Sequence, residues 1–464
     1  MKKKLQIAYI GGGSRGWARN IMCDLAKEPR LCGTVKLYDI DFEAAKDNEI
    51  IGNAIYDRED IVGKWHYEAV KTLQDALTGS DIVIISILPG TFKEMASDVH
   101  CPEKYGIWQP VGDTVGPGGA VRALRTIPMF AEFARAIKQY SPNAWVINYT
   151  NPMTVCVRTL YEVFPEIKAF GCCHEVFGTQ ALLSKIYTEA TGDTATRDDI
   201  QINVLGINHF TWIDRANCKG TDLFPLYAKF IETHLGGEKE DNSKHWANKD
   251  FVSHELVKFD LFRRYGLIAA AGDRHLSEFC PGRWYLENPE TVERFGFALT
   301  KVEYRVKELE ERLETTRKLL SGEKKFELVE TGEESVPQIC ALAGAGDFVT
   351  NVNLPNRGQI PNLPLGAVVE TNARFGSNSV EPVFAGNLPD RVLNLVIRHV
   401  LNQETLVKAG VAGDYELAFS AFLNDPNMPL SLTDARKLFD EMLENTKKYL
   451  PAYDKYRASR AGRR

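Results

Sequence analysis

Two groups of residues in this 464-residue chain have types and spacing suited to chemistry. The first is Gly11-Gly12-Gly13-Ser14-Arg15-Gly16, a G-x-G-x-x-G turn. Such a turn lets backbone approach a pyrophosphate, which then meets the free N–H groups of a helix N-terminus. Asp39 follows about 20 residues on, where an acidic side chain accepts from the ribose hydroxyls and favours NAD over NADP. Gly11, Gly13, Ser14, Arg15, Gly16 and Asp39 are therefore the expected cofactor-binding positions. Asp41 competes for the ribose role, Arg15 and Lys36 keep NADP as an alternative, and a glycine turn without ligand is the lesser alternative.

The second group is Cys172-Cys173-His174-Glu175, with Asn208-His209 after the next apolar run. A thiolate and an imidazole delivered from two strand ends could share one divalent ion. The spacing matches no zinc-finger pattern. A cysteine packed as a small hydrophobe and a hydrogen-bonded core histidine stand beside the metal reading, and Cys172 reads as such a packed neighbour.

The elements that must position these residues alternate in type. Leu5–Ile10 reads as a buried strand, Trp17–Glu28 as a helix and Thr34–Tyr38 as a second strand ending at Asp39. Asp81–Leu88 and Ala144–Asn148 are further strands, with a helical pattern over Pro128–Gln139 between them. Fully apolar strands alternating with helices imply a parallel sheet covered on both faces. Near Ile200 the character changes. Gln201–Ile207 is strand-like, Thr300–Leu320 has the charged face of a solvated helix, and Gly236–Lys249 and Asn351–Leu363 read as loops. The basic tail Arg457–Arg464 reads as a frayed end. The expected fold is α/β, with a Rossmann-type parallel sheet over residues 1–198 and a mixed α+β domain over residues 199–464.

Composition narrows the partners. A formal net charge of −6 offers no footprint for nucleic acid or an anionic membrane. The nine cysteines are scattered, which suits reduced thiols better than a disulfide framework. Met1-Lys2-Lys3-Lys4 precedes an apolar run too short for an export signal. A cytoplasmic protein acting on a small molecule is expected.

Six motifs in chain order resemble glycoside hydrolase family 4 over nearly the whole length. They are Gly11-Gly12-Gly13-Ser14, Gly112-Asp113-Thr114-Val115-Gly116-Pro117-Gly118-Gly119, Asn148-Tyr149-Thr150-Asn151-Pro152, Cys173-His174-Glu175-Val176, Gly206-Ile207-Asn208-His209-Phe210 and Asn351-Val352-Asn353-Leu354-Pro355-Asn356. Within that family Cys-His-Glu-Val looks like the α-galacturonidase group. The resemblance implies a fold related to lactate and malate dehydrogenases, NAD as cofactor, and Mn²⁺ held by Cys173 and His209. It also implies a homodimer or homotetramer.

The family stands outside the usual two-carboxylate scheme of glycosidases. The resemblance implies oxidation of the sugar at C3, deprotonation at C2, elimination of the C1 oxygen, addition of water and re-reduction. His174 matches the proton donor. Asp273, in Ala270-Ala271-Gly272-Asp273-Arg274-His275, matches the base, with Tyr265 as the alternative. Asn151 and Asp113 should line the sugar pocket. Arg274, then Arg122 and Arg125, are candidates to grip a C6 carboxylate. Glu175 and His275 fit supporting positions beside the metal. The alternatives are an α-glucosidase or α-galactosidase of the same family and, from another class, a 2-hydroxy-acid dehydrogenase.

Overall fold

The computed structural model describes residues 2–239, 253–299 and 301–461. Residues 240–249 of the expected loop and the last three residues of the basic tail lie outside them. The described part of the tail is the end of a helix, Tyr453–Ala461, and not a frayed strand of chain. No helix among the described residues is long and apolar enough to cross a membrane.

Thirteen strands form one sheet. They are β1 (Lys3–Ile10), β2 (Leu31–Tyr38), β3 (Lys64–Val70), β4 (Ile82–Ile85), β5 (Trp145–Asn148), β6 (Lys168–Gly171), β7 (Ile200–Ile207), β8 (Phe210–Cys218), β9 (Thr221–Asp222), β10 (Ile268–Ala269), β11 (Phe348–Pro355), β12 (Val368–Gly376) and β13 (Ser379–Pro382). From one edge the order is β3-β2-β1-β4-β5-β6, all parallel. This is the order of dinucleotide-binding sheets. The path continues through β11, β12, β7, β8 and β10 in antiparallel pairing, so the parallel and mixed halves share a single sheet.

The absence of alternation in the apolar strands has a physical cause. Ile7, Tyr9, Ile82 and Ile84 face one layer with Ile21 and Leu25 of the helix Trp17–Lys27. Ala8, Ile10, Val83 and Ile85 face the other, against Phe130, Ala134 and Ile137 of the helix Gly116–Tyr140. Both faces are covered, so both sets must be apolar.

Two expectations are corrected. The helix read from Pro128 begins at Gly116, because Gly116-Pro117-Gly118-Gly119 forms its first turn instead of a loop. Asn351–Leu363 is not loop throughout, since its first part lies in β11, between β6 and β12. The asparagines there are tolerated because their amides have internal partners. Asn351 Nδ2 donates to Glu370 Oε1 at 2.7 Å and Asn353 Nδ2 to the Met153 sulfur at 3.2 Å.

Candidate active site

Gly11-Gly12-Gly13 leaves the carboxyl end of β1, and Cys173-His174 leaves that of β6. In open α/β sheets this is the end where ligands bind. His209 comes from the tight turn between β7 and β8 and holds a left-handed backbone, φ 64°. That conformation costs an ordinary residue roughly 1–2 kcal/mol. One cavity of about 1490 Å³ joins these ends and is lined by every residue singled out above for cofactor, metal, sugar or proton transfer except Gly16, Lys36, Arg125 and Tyr265. Pockets for single small ligands hold about 300–1,000 Å³, so a dinucleotide and a sugar fit together.

At the glycine turn Gly11 has φ +95°, and a Cβ there would meet Ser86 O at 1.9 Å. Gly13 N donates to Asp39 Oδ2 at 2.9 Å, and a Cβ on Gly13 would strike the same oxygen. Asp39 is thus held at the mouth of the turn. Asp41 instead caps the helix Phe42–Asn53, accepting from Ala44 N at 3.1 Å. Lys36 donates to Asp75 O at 2.8 Å. Ser14 Oγ accepts from Trp17 N at 3.1 Å. Gly16 is the N-cap residue, with no side chain to cover the helix end. Arg15 Nε is buried with no hydrogen-bond partner among the described residues. An open helix end, an uncommitted buried donor and a carboxylate at the expected ribose position fit NAD.

The second centre gathers around His209, and Cys173 lines the same cavity. Asp113, His209 and His275 offer ligand atoms all within 4.8 Å of one another. Thr114 Oγ1 donates to Asp113 Oδ1 at 2.6 Å and lies 3.0 Å from His209 Nδ1. With its proton directed at Asp113, Thr114 accepts from Nδ1–H, and the lone pair of His209 is left on Nε2. Burial and the neighbouring His275 lower the His209 pKa to about 3, so the ring is neutral. Asp113 is held at about 2: burial opposes ionisation, and its neighbours His275 and Arg122 outweigh it. The Cys173 thiol faces the Asn208 side chain, and burial, with Glu370 and Glu175 nearby, pushes it well up. A bound cation reverses that logic by stabilising the thiolate. These donors fit a divalent ion.

Around this centre, Asn151 Nδ2 donates to Asp113 Oδ2 at 3.1 Å, and Asn151 Oδ1 is buried without a partner among the described residues. His174 Nδ1 lies 3.3 Å from Glu333 Oε1. Asp273 accepts from Val257 N at 3.2 Å and Lys258 N at 3.0 Å, at the start of the helix Leu256–Tyr265. Tyr265 packs against Trp212 in an apolar cluster away from the cavity.

The arginines are reordered. Arg274 lines the cavity, but it donates to Pro110 O at 2.7 Å and Ala298 O at 3.2 Å, fastening two loops. Arg125 is locked onto the buried Asp98 carboxylate and Pro89 O. Arg122 lines the cavity and, among the described residues, donates only through Nε, to Asn151 O at 3.2 Å.

Sequence reasoning missed Thr114 and Glu333. Thr114 was visible only as the neighbour of Asp113. Glu333 lies on a segment with no periodic signal, tied across the first helix by Thr331 to Asp24 and by Lys27 to Val329 O.

Residues 6–189 match the family described as family 4 glycosyl hydrolase, and residues 204–428 match its C-terminal domain. The chain is 64% identical over 451 residues to an α-galacturonidase of Thermoanaerobacterium saccharolyticum, covering 97% of each. It is 52% identical to an α-galacturonidase of Bacillus subtilis, covering 95% of this chain and 97% of that one. The crystal structure of lplD from Bacillus subtilis superimposes with a TM-score of 0.89, at 52% identity, over 95% of this chain and 100% of that one. With the motifs, the sheet order and both halves of the chain in agreement, this protein is a glycoside hydrolase that belongs to family 4.

Proposed function

We propose that this chain is an α-galacturonidase that oxidises its sugar at C3, removes the C2 proton, expels the C1 oxygen, adds water and reduces the sugar again. One observation carries the reading: the glycine turn with Asp39, the group of Asp113, His209 and His275, and Cys173 line the same cavity. When bound, NAD would supply a reversible hydride acceptor and Mn²⁺ a Lewis acid for the enediolate oxygens.

The chain's own groups do the rest. Gly11, Gly13, Ser14, Arg15, Gly16 and Asp39 hold the dinucleotide; Cys173 and His209 hold the ion. Asn151 and Asp113 orient the sugar hydroxyls. Asp273, held by two backbone N–H groups, takes the C2 proton. His174, beside Glu333, delivers a proton to the departing C1 oxygen. Arg122 grips the C6 carboxylate, since Arg125 and Arg274 are committed elsewhere. On this reading residues 1–198 form the NAD unit and also supply Cys173, His174, Asn151, Asp113 and Arg122, and residues 199–464 complete the sugar and metal site of a cytoplasmic homodimer or homotetramer.

The test compares p-nitrophenyl α-galacturonide, α-glucoside and α-galactoside with NAD⁺, Mn²⁺ and a reductant. Preferred cleavage of the galacturonide without net NADH supports the proposal. Stoichiometric NADH from a hydroxy acid, or preference for a neutral sugar, contradicts it.

A further inference from the structure

His275 has no place in the two-ligand metal site, yet it sits against it. Its ring lies on that of His209, with centroids 3.6 Å apart and planes 25° from parallel. Its Nδ1 is buried and has no hydrogen-bond partner among the described residues. Burying a polar nitrogen without a partner costs roughly 1–3 kcal/mol, so such atoms mark a missing ligand or a function. The other ring nitrogen, Nε2, faces Glu175 Oε1 at 3.8 Å. Glu175 is itself fixed, because its Oε2 accepts from Gly272 N at 2.8 Å and so ties the turn that carries His275.

We propose that His275 is a third protein ligand of the divalent ion, binding through Nδ1, with Glu175 orienting the ring from behind. A carboxylate facing the far nitrogen of a ligating imidazole is the common arrangement for fixing tautomer and ring direction. The assignment rests on the metal reading given above and extends it. Asp113, which accepts from Thr114 on one oxygen and Asn151 on the other, adds a negative charge at the same centre. His209 and His275, with Cys173 lining the same cavity, then retain the ion before any sugar arrives.

Stripping the full-length protein of metal and titrating it with Mn²⁺ alone, without NAD or sugar, tests this; free Mn²⁺ is read by its electron paramagnetic resonance signal. His275→Ala should weaken binding by roughly 10–100-fold, with NAD binding as the control for folding. Pulsed resonance on the Mn²⁺-loaded wild type should show couplings to two imidazole nitrogens, which needs no variant to fold. A single imidazole coupling overturns the assignment. So does His275→Ala binding within twofold of wild type while His209→Ala and Cys173→Ser lose the ion, a result that leaves the two-ligand site standing. If all three variants bind like wild type, the third ligand and the metal site fall together.

Discussion

Thr114 Oγ1 lies 3.0 Å from His209 Nδ1 while donating its own proton to Asp113, and this relay decides which nitrogen of His209 is free to bind. Thr114→Val removes the acceptor and leaves Nδ1–H buried beside a methyl group. Mn²⁺ affinity should fall roughly 10–100-fold, and Thr114→Ser should restore most of it. Titration of the metal-free protein checks both variants.

Asp39 makes the matching prediction for the cofactor. Its carboxylate holds Gly13 N and is placed to accept from ribose. Hydrogen bonds to charged groups are worth about 1.5–3 kcal/mol. Asp39→Ala should therefore weaken NAD binding about 10–100-fold while leaving Mn²⁺ affinity unchanged. Equilibrium titrations with NAD⁺ and with Mn²⁺ separate the two effects.

On the proposed reading Arg122 sets the substrate preference. Arg122→Ala should lower kcat/KM for a galacturonide by roughly 10–100-fold, since a charge-assisted bond to carboxylate contributes about 1.5–3 kcal/mol. Arg122→Lys should recover little, because an ammonium does not reproduce the planar fork. Kinetics on the galacturonide and on a neutral galactoside reveal whether the loss follows the carboxylate.

Much of this site was legible in the sequence because local physics dictated it. Glycines at a strand–helix turn and an acid closing the next strand need no distant partner to be recognised. Cys173 and His209 were visible as unusual residues at strand ends. The unreadable part depended on packing across the sheet. Asn351 and Asn353 looked like loop residues because their partners, Glu370 and Met153, come from other strands. Arg274 looked like the anion clamp because nothing local shows that it reaches Pro110 O. The orphaned nitrogen of His275 appears only when Glu175 and His209 are brought against it.

The segment carrying Glu333 gives a pH prediction. Burial, which outweighs its bonds to Thr331, raises the Asp24 pKa from 3.8 to about 7. Between these values the folded protein keeps a proton that the unfolded chain has released, so stability falls as pH rises from about 4 to 7. Asp24→Asn should flatten this dependence. The half-buried site is partly screened, so the difference is on the order of 1 kcal/mol. Melting temperatures across pH 5–8 for both proteins check it.

The account stands on a nicotinamide and a metal ion meeting one sugar ring, and deuterium at C2 of an α-galacturonide tests that most directly. With NAD⁺, Mn²⁺ and a reductant, turnover should slow with the labelled sugar or the label should wash out into solvent, and omitting NAD⁺ should stop cleavage. Cleavage at an unchanged rate with the deuterium retained, and without need of NAD⁺, would contradict it.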